Sequence, residues 1–148
     1  MTSIAPIPDV ELRQLVLFRL ADGLHAIDLH HVREIIPLRR TTRLPGAPSY
    51  IAGLINVRGT IVTVLDLGAR LGGRPVAGDA SVVLVEERGK LVGVAVDEVL
   101  EVLRLAPADI EAPGAEHAAT GVVSGLGHSG ESIVILLDIH AIIQHVLL

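Results

Sequence analysis

The chain has 148 residues, no cysteine and a formal net charge of −5 at neutral pH. The length fits one domain or two tightly joined subdomains, and the lack of thiols excludes a disulfide framework, thiolate metal sites and cysteine nucleophiles. Half of the residues are apolar but only 1% are aromatic; the nineteen Val, fourteen Ile and twenty-two Leu favour pleated surfaces over helices.

Residues 1–11 contain Pro6, Pro8 and Asp9 without periodicity and read as a loose tail; they lack the basic start and apolar run of a signal peptide. Residues 14–20 and 24–28 form a predicted hairpin around Ala21-Asp22-Gly23, with Gly23 suited to a positive φ. Leu29, Val32, Ile35 and Ile36 fall at i, i+3, i+6 and i+7, which predicts a short helix ended by Pro37. Residues 39–44 are polar and extended. Arg39, Arg40 and Arg43 read there as a solvated loop, since no aromatic is interleaved to stack bases. Pro45, Gly46 and Pro48 mark a loop, and residues 48–50 open a helical turn. Residues 51–57 and 60–67 are apolar runs joined at Arg58-Gly59, the clearest hairpin signal in the chain.

One helical turn is expected over residues 68–72, followed by a linker at Gly73-Arg74-Pro75. Residues 81–86 and 90–96 flank a turn at Glu87-Arg88-Gly89, and residues 107–120 form a loop. Residues 122–125 and 132–137 pair across a turn at 127–130, and residues 140–147 form a terminal helix. Short strands at this spacing, punctuated by glycine turns, indicate β-barrels rather than βαβ units. A hairpin, a longer excursion and another hairpin recur in each half. The expected fold is therefore all-β with short helices: two small barrels sharing a seam, plus a C-terminal helix.

The chemistry of catalysis is sparse. Gly125-Leu126-Gly127-His128-Ser129-Gly130 spells G-x-G-x-x-G, but the dinucleotide motif needs a helix after it, and the β-branched run 131–137 follows instead. A glycine-rich hairpin turn is the better reading. The seven histidines show no metal-ligand spacing. Asp66, Asp97 and Asp138 each follow an apolar strand, where capping the next helix or turn explains them better than a catalytic group. The acidic balance argues against generic nucleic-acid binding. No uncharged run of about twenty residues supports membrane insertion. Glu34 and Arg58 sit among apolar residues, where charges are costly unless exposed, paired or used for recognition. Patterning leaves open whether the two pair or Arg58 stands alone in its turn.

Val32-Arg33-Glu34-Ile35-Ile36, Leu44-Pro45, Ile51 through Gly59 with Asn56-Val57-Arg58-Gly59, and Val64-Leu65-Asp66-Leu67 together resemble the chemotaxis coupling protein (CheW) family. The likeness resumes at residues 92–99 and 124–127, and closes at Ile135-Leu136-Leu137-Asp138-Ile139, so it spans residues 12–148. One departure is Thr63, where the family usually carries a proline; a threonine permits more regular strand pairing.

The resemblance implies two intertwined, five-stranded SH3-like barrels over residues 12–148. It implies a non-catalytic, cofactor-free adaptor, cytoplasmic and held at receptor arrays on the inner face of the membrane. Its implied partners are the cytoplasmic hairpin tip of a chemoreceptor, seated in an apolar groove at the seam, and the regulatory domain of a histidine kinase, bound through barrel ends. By matching position, partner-binding residues fall at Val32, Glu34, Gly53 and Arg58, with Ile35, Asn56 and Gly59 beside them. Gly93, Val99 and Val102 match positions assigned to the second barrel. Two alternatives stand beside this reading: an adaptor of a parallel chemosensory pathway, such as one controlling twitching pili, and a small nucleotide- or metal-binding enzyme. Small barrels have much surface for their volume, so part of the aliphatic excess is expected as an exposed apolar seam.

Overall fold

The computed structural model describes residues 11–144; the proposed tail, apart from Glu11, and the end of the terminal helix lie outside them. Eleven strands are described: β1 (Arg13–Leu20), β2 (Gly23–Asp28), β3 (Val32–Pro37), β4 (Ile51–Val57), β5 (Thr60–Asp66), β6 (Ser81–Glu87), β7 (Lys90–Val96), β8 (Glu98–Leu105), β9 (Ile110–Glu111), β10 (Val123–Ser129) and β11 (Ser132–Leu137). Three short helices accompany them: α1 (Leu67–Arg70), α2 (Ala115–Ala118) and α3 (Ile139–Ile143). The strands make a six-stranded sheet, β8-β1-β2-β11-β10-β9, and a five-stranded sheet, β3-β6-β7-β5-β4. The sheets do not follow the halves of the chain. The six-stranded sheet takes strands from both ends, joined by the parallel pair β2–β11, and β3–β7 are inserted between them. Among the described residues no helix is long and apolar enough to cross a membrane.

Side-chain alternation sorts the aliphatics into three cores. Ile36, Ile55, Val57, Val62, Val64, Val82, Leu84 and Ala95 fill the concave side of the five-stranded sheet. Leu15, Leu17, Ala26, Leu103, Leu105, Val134 and Leu136 do the same in the other sheet. The largest cluster lies between the sheets, where Val16, Phe18 and Leu20 of β1 meet Val83, Val85, Val92, Val94 and Val96, with Ile139, Ile142 and Ile143 of α3. The seam is thus mostly filled core, which accounts for much of the aliphatic excess and corrects its reading as exposed surface. What stays open at one margin is a cleft of about 370 Å³.

Several local expectations change. Residues 29–36 are not a helix: Asp28 Oδ1 accepts from His30 N at 3.0 Å and caps a single 3-10 turn, and β3 follows, paired with β6. A bulge between Val32 and Glu34 puts Val32 against the intersheet core and Ile36 in the barrel core, which produced the helix-like spacing. Residues 48–50 close as a turn, with Ile51 N donating to Pro48 O at 3.0 Å. Ala21, not Gly23, takes the positive φ, 52°. Strand β8 escapes the sequence pattern because it is an edge strand with only Leu103 and Leu105 buried.

The Gly125–Gly130 segment is mostly strand rather than turn; β10 runs to Ser129, and only Gly130, at φ 60°, lies in the two-residue connection to β11. A Cβ on Gly127 would lie 2.6 Å from Leu105 Cδ1, so the glycine lets β8 and β10 approach across the barrel. Asp66 and Asp138 cap α1 and α3 through Ala69 N and Ala141 N. Asp97 caps no helix: its carboxylate accepts from Ala21 N at 2.6 Å and Ala77 N at 3.0 Å, tying a turn of one sheet to the linker of the other. Thr63 is paired on both sides, with Leu54 and with Val92.

Candidate functional site

The two edges of the five-stranded sheet, β3 and β4, curl until they meet, and the meeting point gathers most of the residues singled out above. Val57 faces Thr60, so Arg58-Gly59 is a two-residue connection. Their φ values of 49° and 90° give the type I′ pattern whose twist suits a hairpin. Asn56 Oδ1 accepts from Gly59 N at 2.8 Å and pins the turn. From there the Arg58 guanidinium crosses the barrel mouth to β3. Nη1 donates to Glu34 Oε2 at 3.2 Å and Nη2 to Glu34 Oε1 at 2.5 Å, a bidentate fork. Arg39, just past β3, donates from Nη1 to Asn56 O at 3.2 Å.

Electrostatics follow from this geometry. The Arg58 hydrogen bond, opposed by some loss of hydration and aided by the charges of Arg58 and Arg39, holds the Glu34 carboxyl below its ordinary value. The same hydrogen bond and charge raise Arg58. Arg58 is nevertheless 70% exposed, so the pair contributes little to stability; it fixes where a guanidinium and a carboxylate are displayed. The same elements carry exposed aliphatics: Ile35, next to Glu34 in β3, and Ile61, 61% exposed and directly across from Asn56. Glu34, Asn56, Arg58 and Gly59 therefore share one corner, with Ile35 beside Glu34 in β3, whereas Val32 packs against the intersheet core.

The other candidates sit elsewhere. Gly53 and Gly93 are buried. Gly53, at φ 143°, would place a Cβ 2.5 Å from Thr42 O, so it lets residues 41–42 lie close alongside β4, where Thr42 pairs antiparallel with Leu54. A Cβ on Gly93 would meet Val82 Cγ1 at 2.8 Å; it is a packing glycine of the five-stranded sheet, not of the second barrel. Val99 and Val102 do lie on the six-stranded sheet, in β8. Val99 packs against the intersheet core, whereas Val102, 50% exposed, and its neighbour Leu100 face outward.

Sequence reasoning missed Leu100 and Ile61, whose aliphatic side chains carry no signal of exposure. The resemblance implies an apolar groove at the seam, but none of the residues lining the cleft found there, His25, Arg70, Leu71, Val123, Ile135 and Leu137 among them, was singled out for it. Burial lowers the His25 pKa there, against a hydrogen bond to Gly23 O and with help from His117. Among the described residues no three His, Asp or Glu side chains gather as a metal-holding group.

The model of the CheW-like domain family matches residues 14–147. The chemotaxis protein CheW of Klebsiella aerogenes is 35% identical over 137 residues, covering 89% of this chain and 82% of that protein. Protein PilI of Pseudomonas aeruginosa is 29% identical over 133 residues, covering 86% and 74%. The crystal structure of the scaffolding protein TtCheW from Thermoanaerobacter tengcongensis superposes with a TM-score of 0.83 at 31% identity, covering 90% of this chain and 94% of that one.

Proposed function

This chain belongs to the CheW-like domain family, and from that premise we propose that it is a non-catalytic cytoplasmic adaptor coupling chemoreceptor hairpin tips to a chemotaxis histidine kinase. The observation that carries the reading is the corner of the five-stranded sheet, where a preset Glu34–Arg58 fork joins β3 to the β4–β5 hairpin and exposed Ile35 and Ile61 lie on those same elements. Charged groups held in place, with aliphatics on the same elements, suit recognition, since little ordering entropy remains to be lost on binding. This corner takes the kinase regulatory domain. The apolar cleft at the seam receives an amphipathic receptor helix by groove docking, and exposed Val102 and Leu100 on β8 offer a separate apolar contact. Each interface is of moderate size, and the assembly gains its strength from multivalency.

The test is co-sedimentation of the full chain with a receptor cytoplasmic fragment and with the kinase regulatory domain, separately and together. Capture by both is the expected result; binding to neither overturns the reading. The likeness to Protein PilI favours one second reading, an adaptor of the same kind in a parallel chemosensory pathway. Exchange of receptor fragments from the two pathways in the same assay separates them.

A further inference from the structure

We propose that the loop over residues 39–50, with the first residues of β4, is a docking surface for an acidic, apolar-anchored segment of a partner protein. The inference deepens the adaptor reading and rests on it. The chain is acidic overall, yet residues 39–43 hold Arg39, Arg40 and Arg43 with no acid among them. Of the eight arginines elsewhere, five are matched to acids: Arg13 to Asp28, Arg19 to Glu98, Arg33 to Glu86, Arg58 to Glu34 and Arg88 to Glu87. The other three, unmatched among the described residues, are Arg70, Arg74 and Arg104, scattered in the chain. Arg40 and Arg43 are exposed and have no ion pair among the described residues.

The loop backbone is held in place. Thr42 exchanges two hydrogen bonds with Leu54, each 2.8 Å, and Arg39 is tied to Asn56. The guanidinium groups are therefore displayed from a fixed frame continuous with the Glu34–Arg58 corner. Two clefts of about 380 and 400 Å³ open along the same loop. Arg43 stands on the rim of the second, whose walls include Leu44, Ala47, Pro48 and Ile51. The first cleft, walled by Leu44, Pro45, Tyr50 and Ile51, is the more apolar, and the second, which shares Leu44 and Ile51 with it, carries Arg43; together they fit a chain segment that combines carboxylates with an aliphatic anchor. Nucleic acid fits less well, because the one aromatic ring at the clefts, Tyr50, already faces Arg70 at 5.6 Å and bases bind by stacking. An acidic adaptor repels an acidic partner over most of its surface. A basic island reverses that locally, so it sets the orientation of encounter and speeds association.

The experiment measures association and dissociation rates of the full chain with the kinase regulatory domain and with the receptor fragment, over NaCl from about 0.05 to 0.5 M. With one of these partners the wild-type association rate falls steeply with salt. The double variant Arg40→Glu/Arg43→Glu associates about tenfold more slowly at low salt and loses that salt dependence, Arg40→Gln/Arg43→Gln lies between, and dissociation barely changes. Equal salt slopes for all three proteins with both partners overturn the inference and leave the adaptor reading intact. Failure of the wild type to bind either partner overturns both. Salt-sensitive capture of a single-stranded oligonucleotide by the wild type, lost in the glutamate variant, replaces the protein segment by nucleic acid and also overturns the inference.

Discussion

The five-stranded sheet contains two Arg-Gly hairpins built alike and used differently. Arg58-Gly59 joins β4 to β5 at φ 49° and 90°, and Arg88-Gly89 joins β6 to β7 at 52° and 77°; each is a two-residue connection. Arg58 reaches a carboxylate 24 residues away and grips it with two hydrogen bonds. Arg88, 75% exposed, finds only its chain neighbour Glu87, at 3.9 Å. Two residues before the arginine, Asn56 caps its own turn, whereas Glu86 turns away to Arg33. The backbone rule is local and common to both. The recognition element is not local: it exists at Arg58 because edge strands β3 and β4 meet there, and central strands β6 and β7 offer no such meeting. Arg33 and Glu34, adjacent on β3, serve the two hairpins in turn.

The largest expected effect breaks this comparison at the level of binding. Arg58→Glu lowers affinity for the kinase regulatory domain by tenfold or more, on the order of a hot-spot loss, while Arg88→Glu leaves it unchanged; titration calorimetry on both variants decides, and equal losses would remove the Glu34–Arg58 corner from the binding surface. The next effect concerns what the hairpins share. Gly59→Ala and Gly89→Ala force an alanine into the left-handed region, so each destabilises the fold by about 1 kcal/mol. Urea midpoints check this, and costs differing by more than the whole effect would mean that the turns are not equivalent. A smaller loss belongs to one turn alone. Asn56→Ala removes the cap on Gly59 N and lowers stability by about 1 kcal/mol or less, with Glu86→Ala having no corresponding effect on its turn. Hydrogen exchange at the Gly59 and Gly89 amides reads that difference directly, and equal protection in both variants would refute it.

The hairpins were legible in the sequence because their rule spans two residues and leaves an Arg-Gly mark. Strand β3 was not, because a bulge moved Val32 and Ile36 onto different cores and imitated a helical period. β8 was hidden for a different reason: an edge strand wrapped in solvent buries too few side chains to alternate. Gly125 and Gly127 read as punctuation but are packing residues, a role set by Glu111 and Ile110 for the first and by Leu105 for the second, all distant in sequence. At the candidate site, the residue types at Glu34 and Arg58 were visible as misplaced charges. Their pairing depended on closure of the barrel, which no window of sequence contains. The filled seam was misjudged because composition counts aliphatics without saying which of three cores takes them.

The smallest expected effect sharpens the comparison at a single proton. Glu34 has its carboxyl held below the ordinary value chiefly by the Arg58 hydrogen bond, so the native chain binds this proton less tightly than the unfolded chain does. Any stability from the pair is then present above the unfolded value, about 4.3 for a glutamate, and is lost as pH falls through the lower native one. Because both groups are exposed, that stability is slight and is screened by salt; the titration itself is the sensitive measure. Carboxyl-carbon NMR should place the Glu34 midpoint below the ordinary glutamate value in the wild type and return it toward that value in Arg58→Ala. Arg88→Ala should leave the Glu34 midpoint unmoved, since Arg88 pairs with Glu87 rather than with Glu34. A Glu34 midpoint unchanged by loss of Arg58 would mean that the fork across the barrel mouth does not persist in solution, and the two arginine turns would then differ in nothing but their neighbours.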